Sequence, residues 1–320
     1  MNPQFFKSRF YATLNFIIFL FLTASCTSVH ADTDQSKRIY KVGFAQDTMS
    51  NDWRRAQANA LAAEFKKHAN IKFILTDAGG NSAKQIQDIE DLAHQKVDVL
   101  ITSPRDGVMS TPAIARIYKQ GIPVVLVTRS IASNDYTSLV APDDYMIASN
   151  AADYLAKKLS GKGSVLIIRG VPTATTAIAR TQGFLDRIKK YPAIKIAAIK
   201  DGNYLRGDAV HVTEKALLDG IKFDAIYAQS DSMAVGARLA LKKSGISPKD
   251  KLIIGIDYIK EAQDAIQSGE QLASFVYPTC AKETAKVVLD ILKGKKVPKK
   301  ITVKSKMITK ANVRNITPIF

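Results

Sequence analysis

The stretch DVLIT at residues 98–102 and the stretch DAIYA at residues 224–228 decide the predicted fold, because the chain follows the same course after each of them. A helical pattern comes next, then a Gly-Ile pair at 121–122 or 245–246, and then a second apolar run, VVLVT at 124–128 or LIIGID at 252–257. Apolar runs with little polar alternation are typical of strands buried on both faces. The repeat therefore predicts two similar doubly wound α/β domains, each with helices on both faces of a parallel sheet.

The same alternation of apolar runs and helical patterns extends through most of the chain. In Ser82–Lys96, for example, Ile86, Ile89 and Ala93 recur at helical spacing, and Asn81 or Ser82 can cap the helix. The predicted strands are Ile39–Ala45, Ile71–Thr76, Val97–Thr102, Pro123–Thr128, Ser164–Arg169, Ile194–Lys200, Ala225–Ala228, Leu252–Ile256 and Ala273–Tyr277.

The ends of these strands indicate where a ligand would bind. In doubly wound sheets ligands bind beyond the carboxyl ends of the strands, which places Thr128-Arg129 and Asp257 at equivalent ends of the two domains. Two such domains that face each other form a cleft, and small-molecule sites are common in clefts of this kind.

Composition limits the classes of function. The chain has 320 residues, 46% of them hydrophobic, which suits two globular domains. Two cysteines and four scattered histidines predict neither a disulfide framework nor a metal site. The sequence has no G-x-G-x-x-G after the first strand, no G-x-x-x-x-G-K-[ST] and no G-x-S-x-G. We therefore expect no cofactor and no enzymatic activity.

The N-terminus predicts export from the cytoplasm. Lys7 and Arg9 precede the apolar run FIIFLFL at 16–22, and a V-x-A cleavage motif follows at residues 29–31. This pattern favours a signal peptide over residues 1–31. The alternative is a lipobox, LTASC at 22–26, in which case Cys26 would carry a lipid anchor. Either alternative places the protein in the periplasm or at its membrane surface.

The charge balance is strongly basic, with 46 Lys+Arg against 29 Asp+Glu and a formal net charge of +17. Removal of residues 1–31 takes away two positive charges and leaves about +15, which is 44 minus 29. In an exported protein this excess indicates a lysine-rich surface facing an acidic partner or an anionic membrane, rather than nucleic acid.

Five segments in order along residues 39–320 resemble the type I periplasmic solute-binding proteins, in the branch of ribose- and galactofuranose-binding proteins. They are KVGFAQ at 41–46 followed by NDWR at 51–54, GIPVVLVTR at 121–129, ARTQGF at 179–184, AQSDSMAVG at 228–236 and IGID at 254–257. The resemblance implies two Rossmann-like lobes joined by a three-strand hinge. Lobe one would comprise residues 39–142 and 277–304, and lobe two residues 143–276 and 305–320.

The family resemblance also implies a function. The protein would be a monomer that captures a small polar ligand, a sugar or sugar derivative, between its lobes and delivers it to the permease of an ABC importer. The alternative is a periplasmic sensor subunit that presents the bound ligand to a membrane histidine kinase or chemoreceptor. An exported enzyme on the same scaffold lacks a nucleophile or base, and a DNA-binding regulator is disfavoured by the export signal.

The resemblance implies a set of ligand-binding residues. Trp53 would stack on the sugar, and Asn51, Arg129 and Arg180 would form hydrogen bonds with it. Tyr204 falls on the second aromatic position and Asp257 on a carboxylate position of lobe two. The remaining members of the set are Arg54, Thr128 and Ser230, the last two standing where the family usually has Asp and Asn.

These departures bear on the charge of the ligand. Arg54, Arg129 and Arg180 balanced only by Asp257 would leave the pocket with surplus positive charge, and an unpaired buried charge is costly. The surplus predicts a sugar acid, a phosphorylated sugar or another anionic polyol. Alternatively, carboxylates of the protein itself could neutralise the arginines, namely Asp143, Asp144 or Asp231.

Overall fold

The computed structural model describes residues 38–320, so the predicted export signal and Cys26 lie outside the described residues. The strands are β1 Tyr40–Gln46, β2 Ile71–Asp77, β3 Val99–Thr102, β4 Val124–Val127, β5 Ser138–Ala141, β6 Gly163–Arg169, β7 Ile194–Asp201, β8 Ala225–Ala228, β9 Leu252–Ile254, β10 Ala273–Val276, β11 Lys300–Thr302 and β12 Lys306–Thr309. The helices are α1 Asp52–Phe65, α2 Ser82–His94, α3 Thr111–Lys119, α4 Asp144–Lys158, α5 Thr175–Ile188, α6 Arg206–Leu218, α7 Asp231–Lys243, α8 Lys260–Ser268 and α9 Ala281–Leu292. No helix in this part of the chain has both the length and the apolar character needed to cross a bilayer.

The strands form two six-stranded sheets with the same order of strands. The first runs β2-β1-β3-β4-β5-β11 and is parallel throughout, and the second runs β7-β6-β8-β9-β10-β12. In the second sheet only β12 is antiparallel to its neighbour. The two doubly wound lobes that the repeat predicts are thus confirmed.

Alternate residues of the central strands pack on opposite faces of each sheet. In β3, Val99 and Ile101 face a cluster with α1 and α9, whereas Leu100 faces a cluster with α2 and α3. In β8, Ala225 and Tyr227 face α4 and α5, and Ile226 and Ala228 face α6 and α7. Helices on both faces leave no solvated side, which explains why these strands are almost continuously apolar.

All nine predicted strands are present, but the prediction missed β5, β11 and β12. These three strands have only three or four residues each, and β11 and β12 lie at sheet edges with polar, partly exposed residues. A strand that is not buried on both faces lacks the continuous apolar run by which the others were found.

The chain passes between the two sheets three times. It leaves the first sheet after β5, returns after β10 to form α9 and β11, and crosses again between β11 and β12. All three passages connect the same two lobes. The residue boundaries predicted for the lobes stay a prediction.

Candidate functional site

A pocket with about 440 Å³ of empty space, part of it open to solvent, lies between the two lobes at the carboxyl ends of their strands. It is lined by Asp47, Thr48, Asn51, Trp53, Arg54, Arg105, Arg129, Val171, Thr176, Arg180, Asn203, Tyr204, Asp257 and Tyr277. Seven of the nine residues predicted from the sequence are in this lining, namely Asn51, Trp53, Arg54, Arg129, Arg180, Tyr204 and Asp257.

On the lobe-one side the loop after β1 leads into helix α1. Asn51 is the N-cap of α1, and its side-chain oxygen accepts a hydrogen bond from the Arg54 backbone N–H at 3.0 Å. The Asn51 amide donates to the backbone carbonyl of Tyr204 in lobe two, at 2.5 Å. The side chain that we predicted to bind the ligand therefore has protein partners on both of its polar atoms in this arrangement.

Trp53 lies in the first turn of α1 and is buried. Its indole N–H donates to the backbone carbonyl of Tyr277 at 2.9 Å, and the two rings are 5.3 Å apart and tilted. The guanidinium of Arg54 lies 5.2 Å from the Trp53 ring, within the range of a cation–π contact. Because the polar edge of the indole is already bonded, what Trp53 can offer a ligand is its ring.

Asp47 directly follows β1 and organises the arginines of lobe one. Its carboxylate lies 2.8 Å from Arg129 Nη1 and 3.4 Å from Arg54 Nε. Burial by itself would raise the pKa of Asp47, but the charges of Arg129, Arg54 and Arg105 outweigh it and lower the pKa below its usual value. Asp47 is therefore ionised at neutral pH and holds the two buried guanidinium groups in place.

Lobe two holds its arginine differently. Arg180 in α5 donates from Nε to Asp144 at 2.7 Å and from Nη1 to the backbone carbonyl of Gln229. The Tyr277 hydroxyl donates to the other oxygen of Asp144 at 3.1 Å, and the Tyr277 ring lies 4.4 Å from the guanidinium carbon of Arg180. These contacts fix the orientation of Arg180 and leave its Nη2 without a partner among the described residues.

Asp257 is the carboxylate of the lining that makes no side-chain hydrogen bond within residues 38–320, although it is only 4% exposed. Burial raises the pKa of Asp257 well above its usual value. The positive charge of Arg180 opposes this rise, and the negative charge of Asp231 adds to it. A buried acceptor without a partner is costly, so Asp257 is set up to accept a hydrogen bond from a ligand.

Several strand-end residues that border the cavity have left-handed backbone conformations. Positive φ angles occur at Thr128 (62°), Asn203 (52°), Tyr204 (62°) and Asp257 (119°). Non-glycine residues seldom adopt such angles, and strained backbone of this kind is concentrated at binding sites. The Tyr204 ring also lies over Gly170, where a Cβ atom would come within 2.0 Å of the ring.

Two predicted residues, Thr128 and Ser230, are outside the lining. The Thr128 hydroxyl lies 3.3 Å from Arg54 Nη1, so Thr128 contacts a residue of the lining. Ser230 is the N-cap of α7, where its hydroxyl accepts from the Met233 backbone N–H at 3.2 Å. A serine before a helix caps its free N–H groups, and this occupies the Ser230 side chain.

The prediction missed seven residues of the lining: Asp47, Thr48, Arg105, Val171, Thr176, Asn203 and Tyr277. For Asp47 and Tyr277 a signal was available, because Tyr277 is the last residue of one predicted strand and Asp47 stands two residues after another. The expectation that only Asp257 balances the arginines was wrong. Asp47 pairs with Arg129 and Arg54, and Asp144 pairs with Arg180.

The other two candidate neutralising carboxylates are used elsewhere. Asp143 caps α4 by accepting from the Met146 N–H, at 3.0 Å. Asp231 accepts from Gln271, from the Ser274 hydroxyl and from a backbone N–H.

Comparison with known proteins identifies the family. The sequence profile of the periplasmic binding protein domain matches residues 42–296. The chain is 30% identical over 297 residues to the ribose import binding protein of Bacillus subtilis, covering 91% of this chain and 95% of that protein. It is 32% identical over 241 residues to the galactofuranose-binding protein of Escherichia coli, covering 73% of this chain and 76% of that protein.

A solved structure extends the comparison to the fold. The fructose-binding periplasmic domain of a hybrid two-component system superposes with a TM-score of 0.82 and 30% identity, covering 86% of this chain and 92% of that one. The relatives are solute-binding proteins, a family without enzymatic activity. Together with the two lobes and the cavity between them, these similarities show that the chain belongs to the type I periplasmic sugar-binding proteins.

Proposed function

We propose that this protein binds a sugar-sized polyhydroxylated ligand in the cavity between its lobes and delivers it to an ABC importer in the inner membrane. The observation that carries this proposal is the chemistry of the cavity. It combines the free carboxylate of Asp257, the guanidinium groups of Arg129 and Arg180, and the rings of Trp53 and Tyr204. Carboxylate and guanidinium groups suit vicinal hydroxyls, and aromatic rings suit the apolar face of a sugar.

Contacts between the lobes support capture by closure. The Thr173 hydroxyl of lobe two donates to the backbone carbonyl of Arg105 at 3.2 Å, and the Ser130 backbone N–H of lobe one donates to the Thr175 hydroxyl at 3.0 Å. With the Asn51–Tyr204 bond, they join the rims of the cleft. Closure around a ligand would exclude water and strengthen the hydrogen bonds inside.

The partner is proposed from the relatives. The ribose import binding protein is named for import, which favours a permease as the partner of this chain. The fructose-binding domain belongs to a two-component system, which favours the second candidate function, presentation of the ligand to a sensor kinase. Permease and ATPase genes beside the gene for this protein would favour import, and a kinase gene alone would favour sensing.

The proposal includes the location and the assembly. We place the protein in the periplasm, because its relatives are periplasmic binding proteins and the N-terminus resembles an export signal. We expect a monomer, since a cavity lined by two lobes of one chain needs no second subunit. Fractionation and light scattering of the exported protein would test both statements.

A thermal-shift screen of pentoses, hexoses and polyols tests ligand capture. A ligand at 100 times its Kd stabilises the folded state by about 2.7 kcal/mol, which raises the melting temperature measurably. Asp257→Asn should reduce the shift, because the amide keeps only one of the two accepting oxygens while no protein partner is lost. The control is Asp264→Asn, at an exposed carboxylate in α8 that pairs with Lys260. If no sugar or polyol shifts the wild-type protein, the proposed function is wrong.

A further inference from the structure

The lobe-one wall of the cavity carries more positive than negative charge. Three arginines of the lining, Arg54, Arg105 and Arg129, belong to this wall, and Asp47 is its carboxylate. Asp47 pairs directly with Arg129 at 2.8 Å and with Arg54 at 3.4 Å. In the described part of the chain, Arg105 has no carboxylate within 4.0 Å, although its charge is near enough to lower the pKa of Asp47. Three positive charges against one negative charge leave the wall with a surplus of about two.

The other contacts of these arginines are with neutral groups. Arg54 Nη1 donates to the Ser103 hydroxyl at 2.8 Å and to Gln57 at 3.1 Å. Arg129 Nη1 has the backbone carbonyl of Pro104 as its second partner, at 3.3 Å. The Nε of Arg129 is buried and has no hydrogen-bond partner among residues 38–320. Neutral acceptors satisfy some of the N–H groups but leave the surplus charge in place.

The surplus is unfavourable for the protein without a ligand. Burial, together with the positive charge of Arg129, lowers the pKa of Arg54 from 12.5 to about 10, even though Asp47 opposes the shift. The pKa of Arg105 is also lowered, by its partial burial and by Arg129. Charges held in a partly dehydrated site are stabilised by an added opposite charge, and arginine binds carboxylate and phosphate with two parallel hydrogen bonds.

The lobe-two wall has no such surplus. Its arginine, Arg180, is neutralised by Asp144 at 2.7 Å, and it also contains the free carboxylate of Asp257. An anionic group of a ligand would be attracted to the opposite wall, where positive charge is in surplus. Hydroxyl groups, which can donate to a carboxylate, suit the side of Asp257.

The position of Arg105 is fixed although its charged end is not paired. Its backbone N–H donates to Gln85 at 2.8 Å, and its carbonyl accepts from Thr173 of the other lobe. The residue is partly buried and lies in the loop after β3. Arg105 belongs to the lining, and its guanidinium lies beside Gly80 with no carboxylate within 4.0 Å among the described residues, so a charged group that enters the cleft would not compete with an ion pair for it.

From this distribution of charge we infer that the ligand is a monosaccharide-sized molecule with one carboxylate or phosphate group, which lies against Arg105 and Arg129 while its hydroxyls face Asp257. The inference rests on the proposed function and specifies its ligand. It places the surplus charge on the lobe-one wall and assigns Arg105 a role in selectivity.

Calorimetry with matched ligands tests the inference on the exported protein. One series is D-galactose, D-galacturonate and D-galactose 6-phosphate, and the other is D-ribose and D-ribose 5-phosphate. We expect at least one acid or phosphate to bind about tenfold or more tightly than its neutral parent, as a charge-assisted bond predicts. The carboxylate and phosphate members of the galactose series distinguish the two anionic groups.

Arg105→Gln provides the second measurement. It should remove about tenfold or more of the affinity for the preferred anion and change the affinity for the neutral parent by less than about twofold. The matched control is Arg116→Gln, at an exposed arginine in α3 of the same lobe that pairs with Glu90. Circular dichroism of both variants would confirm that they fold.

The outcomes separate the two proposals. Neutral sugars that bind as tightly as their acids and phosphates would overturn the inference and leave the proposed function intact. An equal loss of affinity for both members of a pair in Arg105→Gln would also overturn it. If no member of either series binds although another neutral sugar or polyol raises the melting temperature, the inference is overturned and the proposed function stands. If no sugar or polyol binds at all, the proposed function falls and the inference with it.

Discussion

Replacement of Asp47 by Asn tests whether one buried carboxylate holds the arginines of lobe one. Asp47 is 1% exposed and contacts Arg129 at 2.8 Å and Arg54 at 3.4 Å, with both guanidinium groups buried. The amide in Asp47→Asn has nearly the same shape and can still accept one hydrogen bond. It cannot compensate the charges, so the substitution isolates the electrostatic contribution of the carboxylate.

The expected magnitude follows from the burial of the pair. Removal of one partner from a buried ion pair costs about 3–5 kcal/mol, because the remaining charge is left without compensation. We expect the lower end, about 3 kcal/mol, since Arg54 and Arg129 keep their neutral partners. Domains of this kind are stable by about 5–15 kcal/mol in total, so the loss would be easily measured.

Urea unfolding of the ligand-free protein at pH 7 measures this loss. The chain has a single tryptophan, Trp53, which is carried by helix α1 of lobe one and packs against Tyr277, so its fluorescence reports on the site to which Asp47 belongs. The control is Asp52→Asn, which removes a partly exposed carboxylate that pairs with Arg55 and lies 3.5 Å from Arg206, and it should cost less than about 1 kcal/mol.

The pH dependence gives a second check on Asp47. Its pKa in the folded protein lies below the ordinary 3.8, so its stabilising contribution is present above about pH 4 and is lost as the pH falls through the lowered pKa. The difference between the wild type and Asp47→Asn should therefore be constant from pH 5 to pH 8. A loss no larger than that of Asp52→Asn would refute the electrostatic explanation.

Three further predictions concern the site and its support. Trp53→Ala should abolish ligand binding in calorimetry if the ring stacks on the ligand, and unchanged affinity would remove Trp53 from the site. Gly170→Ala should displace the Tyr204 ring and weaken ligand binding. The control is Gly207→Ala, where a Cβ has open space and binding should not change. Equal ligand affinities of the two variants would contradict the packing argument. Burial raises the pKa of Asp231 to about 6. The stabilisation by protonated Asp231 is therefore fully present below pH 3.8 and lost as the pH rises to about 6. Between these pH values the free energy of unfolding of Asp231→Asn, measured by chemical denaturation, should rise by roughly 3 kcal/mol relative to that of the wild type. A difference that stays constant with pH would contradict the raised pKa.

The repeat of apolar runs was sufficient to predict the fold. Parallel strands buried on both faces are almost continuously apolar, so β3, β4, β8 and their counterparts were recognisable from the sequence. Because the carboxyl ends of such strands meet at one edge of a sheet, Arg129 and Asp257 could be assigned to one cleft before the structure was known. The short strands β11 and β12 left no comparable pattern.

The sequence by itself thus determined the architecture, the family resemblance and half of the residues that line the cavity. Only the tertiary structure decided which charges are compensated. The ion pair between Arg129 and Asp47 joins residues 82 positions apart, and the bond from Trp53 to Tyr277 spans 224 positions. Strand patterns are local, because each residue's burial follows from its own position in a strand. Ion pairing depends on distances of a few ångströms between remote segments, and these exist only once the sheets have assembled.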